Sequence, residues 1–154
     1  MKTLILYATK HGAAKDIAER LAELLPDATV CDLSADTVSL ADFDCVIFGS
    51  SVYAGSIRKE AKSYLSKNAS QLVSKRFGLF LSGISAGESE EVFVSNFSPE
   101  ILGAASTKSF IGGVFNPDKC NLFERIVIRL VTKKTKYFST ISDERIKKFA
   151  EELM

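Results

Sequence analysis

A doubly wound α/β sandwich around a five-stranded parallel sheet is the fold class that this sequence predicts. Two patterns predict it. Five short apolar runs of strand length alternate with segments whose apolar residues recur at helical spacing, and small and polar residues gather just after the first, third and fourth runs. A chain of 154 residues, 46% hydrophobic and 25% charged, is expected to form one domain, 1–154, with one core.

The elements follow in order. Leu4-Ile5-Leu6-Tyr7 is continuously apolar, as a central strand covered on both faces is. Ile17, Ala18, Leu21, Ala22, Leu24 and Leu25 then share a helix face, which Pro26 ends. Thr29 to Leu33 is the second strand; residues 34–43 are a polar connection with a short helix near Leu40. Cys45 to Phe48 is the third strand, ending at Gly49-Ser50-Ser51, and a helix is expected from about Ile57 to Asn68. Phe77 to Leu81 is the fourth strand, opening into Ser82-Gly83-Ile84-Ser85-Ala86-Gly87. Broken helix is expected over 88–104, with Pro99 at a second helix start. Thr107 to Gly113 is the fifth strand, and Asn121 to Lys134 and Asp143 to Leu153 are helical.

Composition removes several classes of function. A net charge of +1 provides no field for nucleic acid. Cys31, Cys45 and Cys120 form no C-x-x-C pair, and His11 is the single histidine, which argues against zinc, thioredoxin-like and His-based triad chemistry. Reduced thiols fit a cytoplasmic protein. Leu4 to Ala8 is too short for a signal-peptide core, and no run approaches the roughly 18 apolar residues of a membrane span.

In doubly wound sheets the ligand lies beyond the carboxyl ends of the strands, which selects residues 9–14, 49–56 and 82–88. Thr9-Lys10-His11-Gly12-Ala13-Ala14 leaves a strand and enters a helix, where unpaired N–H groups and the macrodipole attract phosphate. Neither a Walker A loop nor G-x-G-x-x-G is present, so a monophosphate suits the loop better than a triphosphate or NAD. The plainer reading is a strand-to-helix turn with Thr9 as a helix cap.

Ile5-Leu6-Tyr7-Ala8-Thr9, then Gly12, Ala18 and Leu21, resembles the flavodoxin signature, and the order of elements is similar along nearly the whole chain. The resemblance implies a flavodoxin-like fold and FMN, with phosphate on Thr9, Lys10, His11, Gly12, Ala13 and Ala14. Ala14 stands where the family has a further threonine, so Lys10, His11 or Lys15 would have to compensate by charge. The resemblance also places the flavin ring between Ser50, Ser51, Val52, Tyr53, Ala54 and Gly55 on one side and Ser82, Gly83 and Ile84 on the other. The chain has no Trp, so Tyr53 is the candidate for stacking on the ring. Gly55 stands where a family glycine reorients its peptide at flavin N5, or it only shapes a turn. No side chain is assigned a catalytic role, because the flavin carries the redox chemistry.

Within the family, Met1 to Leu6, Asp118-Lys119-Cys120, the basic apolar helix after them and Phe149 to Glu152 look most like the menaquinone-dependent protoporphyrinogen dehydrogenase branch. That branch carries a longer insertion than Val114 to Cys120. The basic helix has five Lys/Arg over 121–136 against Glu124 alone, with Leu122, Phe123, Ile126, Val127, Leu130 and Val131 sharing about half the wheel. It reads first as a core-packing helix with a solvated basic face. The sharper reading is a surface for anionic lipid or an anionic small-molecule substrate, peripheral to the inner face of the membrane.

Three expectations stay open. One is an FMN electron-transfer protein serving a redox partner protein; another is an FMN-dependent oxidoreductase of the protoporphyrinogen/quinone dehydrogenase type. The third is the same fold without flavin.

Overall fold

A computed structural model describes residues 1–84 and 90–154. The strands are β1 (Thr3–Ala8), β2 (Ala28–Asp32), β3 (Cys45–Tyr53), β4 (Ser56–Ile57), β5 (Arg76–Ser82), β6 (Ala105–Gly112), β7 (Val114–Phe115) and β8 (Phe138–Ser139). The helices are α1 (Ala13–Leu24), α2 (Lys59–Val73), α3 (Glu90–Asn96), α4 (Pro99–Ala104), α5 (Leu122–Thr132) and α6 (Asp143–Leu153).

Five strands pair in parallel in the order β2-β1-β3-β5-β6, with helices on both sides. Strand alternation explains why β1 is apolar throughout. Leu4 and Leu6 enter a core with Val46, Phe48, Leu79, Leu65 of α2 and Phe93 of α3. Ile5 and Tyr7 face the opposite core, with Ile17 and Leu21 of α1 and Phe149 and Leu153 of α6. The chain leaves β1 at residue 9 between neighbours β2 and β3, which is the reversal of strand order that opens a crevice.

The third strand is longer than expected. It runs through Ser50, Ser51 and Val52 to Tyr53 and folds back on β4, pairing Val52 with Ile57 and Tyr53 with Ser56. Ala54 and Gly55 make the turn with φ of 50° and 77°, the two positive values a tight hairpin turn of this hand requires. Ile57 is therefore strand, and α2 begins two residues later than expected. The Ile57 N–H donates to Asn96 Oδ1 and the Arg58 N–H to Ser50 Oγ, which hold both residues extended. The helix also continues past Asn68 to Val73. Pro99 does open a helix, with Ser98 Oγ accepting the Ile101 N–H. The β7–β8 hairpin was not expected.

The core-packing reading of the basic helix is wrong. In α5 the one buried residue is Glu124, while Leu122, Phe123, Ile126, Leu130 and Val131 are exposed. The helix lies beyond the strand ends, where no sheet face exists to receive an apolar stripe. Among the described residues, no helix is long and apolar enough to cross a membrane.

Candidate functional site

Residues 9–12 lead from β1 to α1. Thr9 Oγ1 accepts the Gly12 N–H at 2.9 Å, and the Lys10 N–H donates to Ser51 Oγ at 3.1 Å, which ties this loop to β3. Gly12 caps α1 at φ 97°, in the left-handed region, and no side chain caps the helix. Thr9 is thus not the helix cap: its oxygen is taken by Gly12, and its hydroxyl proton is left for another acceptor. The first-turn amides of α1 face the same place with no side-chain acceptor. Ala13 and Ala14 are buried, and the Ala14 side chain belongs to the α1 core, so these two offer backbone.

The three charges expected to compensate for Ala14 point elsewhere. Lys10 Nζ lies 3.1 Å from Glu124 Oε1 and 3.9 Å from the centroid of the Tyr53 ring. His11 Nε2 donates to Glu124 Oε2 at 2.6 Å, since an ionised carboxylate only accepts. Lys15 faces Glu19 on the exposed side of α1. Burial alone would push the Glu124 carboxyl up. The hydrogen bonds from His11 and Lys10 outweigh it and hold the group below the usual carboxylate range. Lys119, which was not assigned to the site, sits over the loop, with Nζ 3.5 Å from the His11 carbonyl oxygen.

The flavin-ring expectation meets a narrow cavity of about 90 Å³. Ser51, Val52, Tyr53, Ser82, Gly83 and Ile84, expected at the ring, line it together with Lys10, His11 and Ala13, which were expected at the phosphate. Thr9, Gly12, Ala14, Ser50, Ala54 and Gly55 do not. Ser50 is structural, donating to the Ser51 carbonyl and accepting the Arg58 N–H. The Gly55 carbonyl accepts from Asn96 Nδ2 at 2.9 Å. Ser85, Ala86 and Gly87 lie outside the described residues.

The remaining lining was missed: Gly113, Val114 and Phe115 after β6, then Cys120, Glu124, Val127 and Ile128. A Cβ on Gly113 would fall 2.6 Å from the Gly83 carbonyl carbon, so the loops after β5 and β6 touch backbone to backbone. The glycine pair 112–113 was the one signal that could have pointed there. Ser82 Oγ is buried without a hydrogen-bond partner among the described residues. The Cys120 thiol is pushed up by burial and then by the Glu124 carboxylate, so it stays neutral. His11, Cys120 and Glu124 bring three ligand-type atoms within 4.8 Å of one another, but Lys10 and His11 already occupy the carboxylate. A larger open groove, about 710 Å³, runs between residues 36–40 and α2 and is lined by none of the residues expected at the site.

A family model described as a flavodoxin domain matches residues 4–142. No curated protein sequence matches the chain significantly. Among solved structures, the fold is similar to flavodoxin 1 of Bacillus cereus at 16% identity and TM-score 0.58, covering 99% of this chain and 97% of that one. A flavodoxin, WrbA-like protein of Agrobacterium tumefaciens is similar at 17% identity and TM-score 0.56, covering 99% and 96%. The rubredoxin oxygen:oxidoreductase of Desulfovibrio gigas is similar at 16% identity and TM-score 0.61. There the match covers 99% of this chain but only 34% of the other, about a third of its length.

Proposed function

Since the chain belongs to the flavodoxin domain family, we propose that it binds one FMN across the loops after β1, β3 and β5 and carries electrons to a redox partner protein. The observation that supports this reading is unused hydrogen-bonding capacity at both ends of one site. The first-turn amides of α1 have no capping side chain, and the buried Ser82 hydroxyl at the ring cavity has no partner among the described residues. These donors fit a phosphate at one end and a polar ring edge at the other.

When bound, FMN supplies the redox chemistry, taking up and releasing electrons. The protein holds and orients it. The α1 amides and the Thr9 hydroxyl would donate to the phosphate, and Gly12 would let it approach the backbone. Val52, Tyr53, Gly83 and Ile84, which line the cavity, would border the ring, with Ser82 Oγ available to its edge. Val127 and Ile128 of α5 cover the site and exclude water. A cavity of about 90 Å³ is smaller than the roughly 300 Å³ at which ligand pockets begin. A ring lying against Tyr53 would be bordered by this cavity rather than enclosed in it, and the Lys10 side chain would have to leave the Tyr53 face while keeping its ion pair with Glu124. A turn of the Gly55 peptide towards the ring must break its bond to Asn96.

Titration of apoprotein with FMN tests the reading. One equivalent should be taken up, and Gly12→Val should weaken uptake about ten-fold or more, with some loss of stability as well because a β-branched residue is strained at φ 97°. Wild-type protein that takes up no FMN removes the proposal.

A second reading is an FMN-dependent oxidoreductase of the protoporphyrinogen/quinone dehydrogenase type, at a membrane surface. One observation favours it: the helix covering the ring cavity turns Leu122, Phe123, Ile126, Leu130 and Val131 to solvent, where a lipid-dissolved acceptor would reach it. The short connection from Val114 to Cys120 favours the carrier.

A further inference from the structure

We propose that Lys119 is a phosphate-binding residue, whose ammonium supplies the positive charge to the flavin phosphate that the loop after β1 does not; this rests on the FMN reading above. A phosphate ester near neutral pH carries close to two negative charges, whereas a helix end offers about half a charge. The loop's own cations are committed. Lys10 and His11 are held by Glu124, and Lys15 faces Glu19. Ala14 adds no hydroxyl.

Lys119 is differently placed. Its Nζ is 3.5 Å from the His11 carbonyl oxygen and 3.6 Å from the point a Cβ on Gly12 would occupy. No carboxylate among the described residues lies within ion-pair distance of it. A carbonyl contact that long uses little of an ammonium's three-donor capacity, so a phosphate arriving at the loop gains the charge at low cost. Because Gly12 has no side chain, no Cβ intrudes beside the ammonium at the start of α1.

The backbone that carries Lys119 is well fixed although its side chain is exposed. Pro117–Lys119 form one 3₁₀ turn, begun by Asn116 Oδ1 accepting the Asp118 N–H at 3.1 Å. Arg125 Nε donates to the Pro117 carbonyl at 2.9 Å, and Asn121 Oδ1 caps α5. The ammonium is thus delivered from an element distant in sequence, and it acts on the one part of FMN that riboflavin lacks.

Wild-type, Lys119→Gln and Lys119→Arg apoproteins titrated with FMN and with riboflavin, at low and high salt, decide the matter. Lys119→Gln should bind FMN roughly ten-fold more weakly, with riboflavin unchanged and the salt dependence of FMN binding reduced. Lys119→Arg should restore most of the FMN affinity, because the charge is kept. Unchanged FMN affinity in Lys119→Gln overturns the proposal and leaves the FMN reading intact. Equal weakening of both flavins also overturns it, since Lys119 would then be shaping residues 116–121 rather than meeting phosphate. Wild-type protein that binds riboflavin and FMN equally overturns it as well. Wild-type protein that binds neither defeats the FMN reading itself, and the proposal with it.

Discussion

Ala54 adopts φ 50°, a conformation that an L side chain occupies at a cost of about 1 kcal/mol. It is exposed, so no packing compensates. The two-residue turn it shares with Gly55 favours Asn before Gly, because Asn tolerates the left-handed region. Ala54→Asn should therefore stabilise the fold by roughly 0.5–1 kcal/mol in urea unfolding. An unchanged or lower midpoint would mean that the turn relaxes in solution. At this scale the sequence was legible where a residue type has one backbone use. Gly12 and Gly55, singled out for a close backbone approach and a turn, both take positive φ, whereas Ser50 and Ser51, expected beyond the third strand, lie within β3. Side-chain direction was not legible: Lys10 and His11 turn away from the loop because Glu124, 113 residues from His11, stands close enough to bind both. Local spacing carries no information about a partner so distant.

Among the elements, α5 is held in an inverted way. An acid anchors it, while most of its apolar side chains face outward. Since hydrogen bonds from His11 and Lys10 hold the Glu124 carboxyl below its ordinary value, the docked helix gains stability that is fully present above the ordinary glutamate range and is lost as pH falls through the lowered value. The expected result is native-state hydrogen exchange with α5 protected at neutral pH and losing protection below about pH 4.5, before the central strands do. Glu124→Gln should lower α5 protection at neutral pH about ten-fold and abolish this acid dependence. Loss of protection in α5 and β1 together would show that the helix is not a separable unit. Strands and helices with a sheet to cover were readable from periodicity. The period of α5 was also readable, but its orientation depends on whether a surface exists beneath it, and period does not encode that.

At the scale of the whole molecule, a near-neutral net charge hides a strong local asymmetry. Residues 121–136 carry Arg125, Arg129, Lys133, Lys134 and Lys136 against Glu124 alone, and the same segment exposes Leu122, Phe123, Ile126, Leu130 and Val131. Each cation near an anionic bilayer is worth about 1 kcal/mol, and each buried apolar side chain about 1.5–3 kcal/mol. On the oxidoreductase reading these contributions would sum to a reversible, salt-sensitive adsorption. The helix that would adsorb is the one covering the ring cavity, so adsorption and access to the flavin would be coupled, as the oxidoreductase reading requires. Sedimentation with vesicles separates the two readings. On the oxidoreductase reading the protein should pellet with phosphatidylglycerol vesicles, release in high salt, and ignore pure phosphatidylcholine. Phe123→Asp with Leu130→Asp should abolish pelleting while leaving FMN affinity within about two-fold, because both side chains face solvent rather than the cavity. If wild-type protein stays in the supernatant with anionic vesicles, the apolar face serves something other than lipid and the carrier reading stands alone.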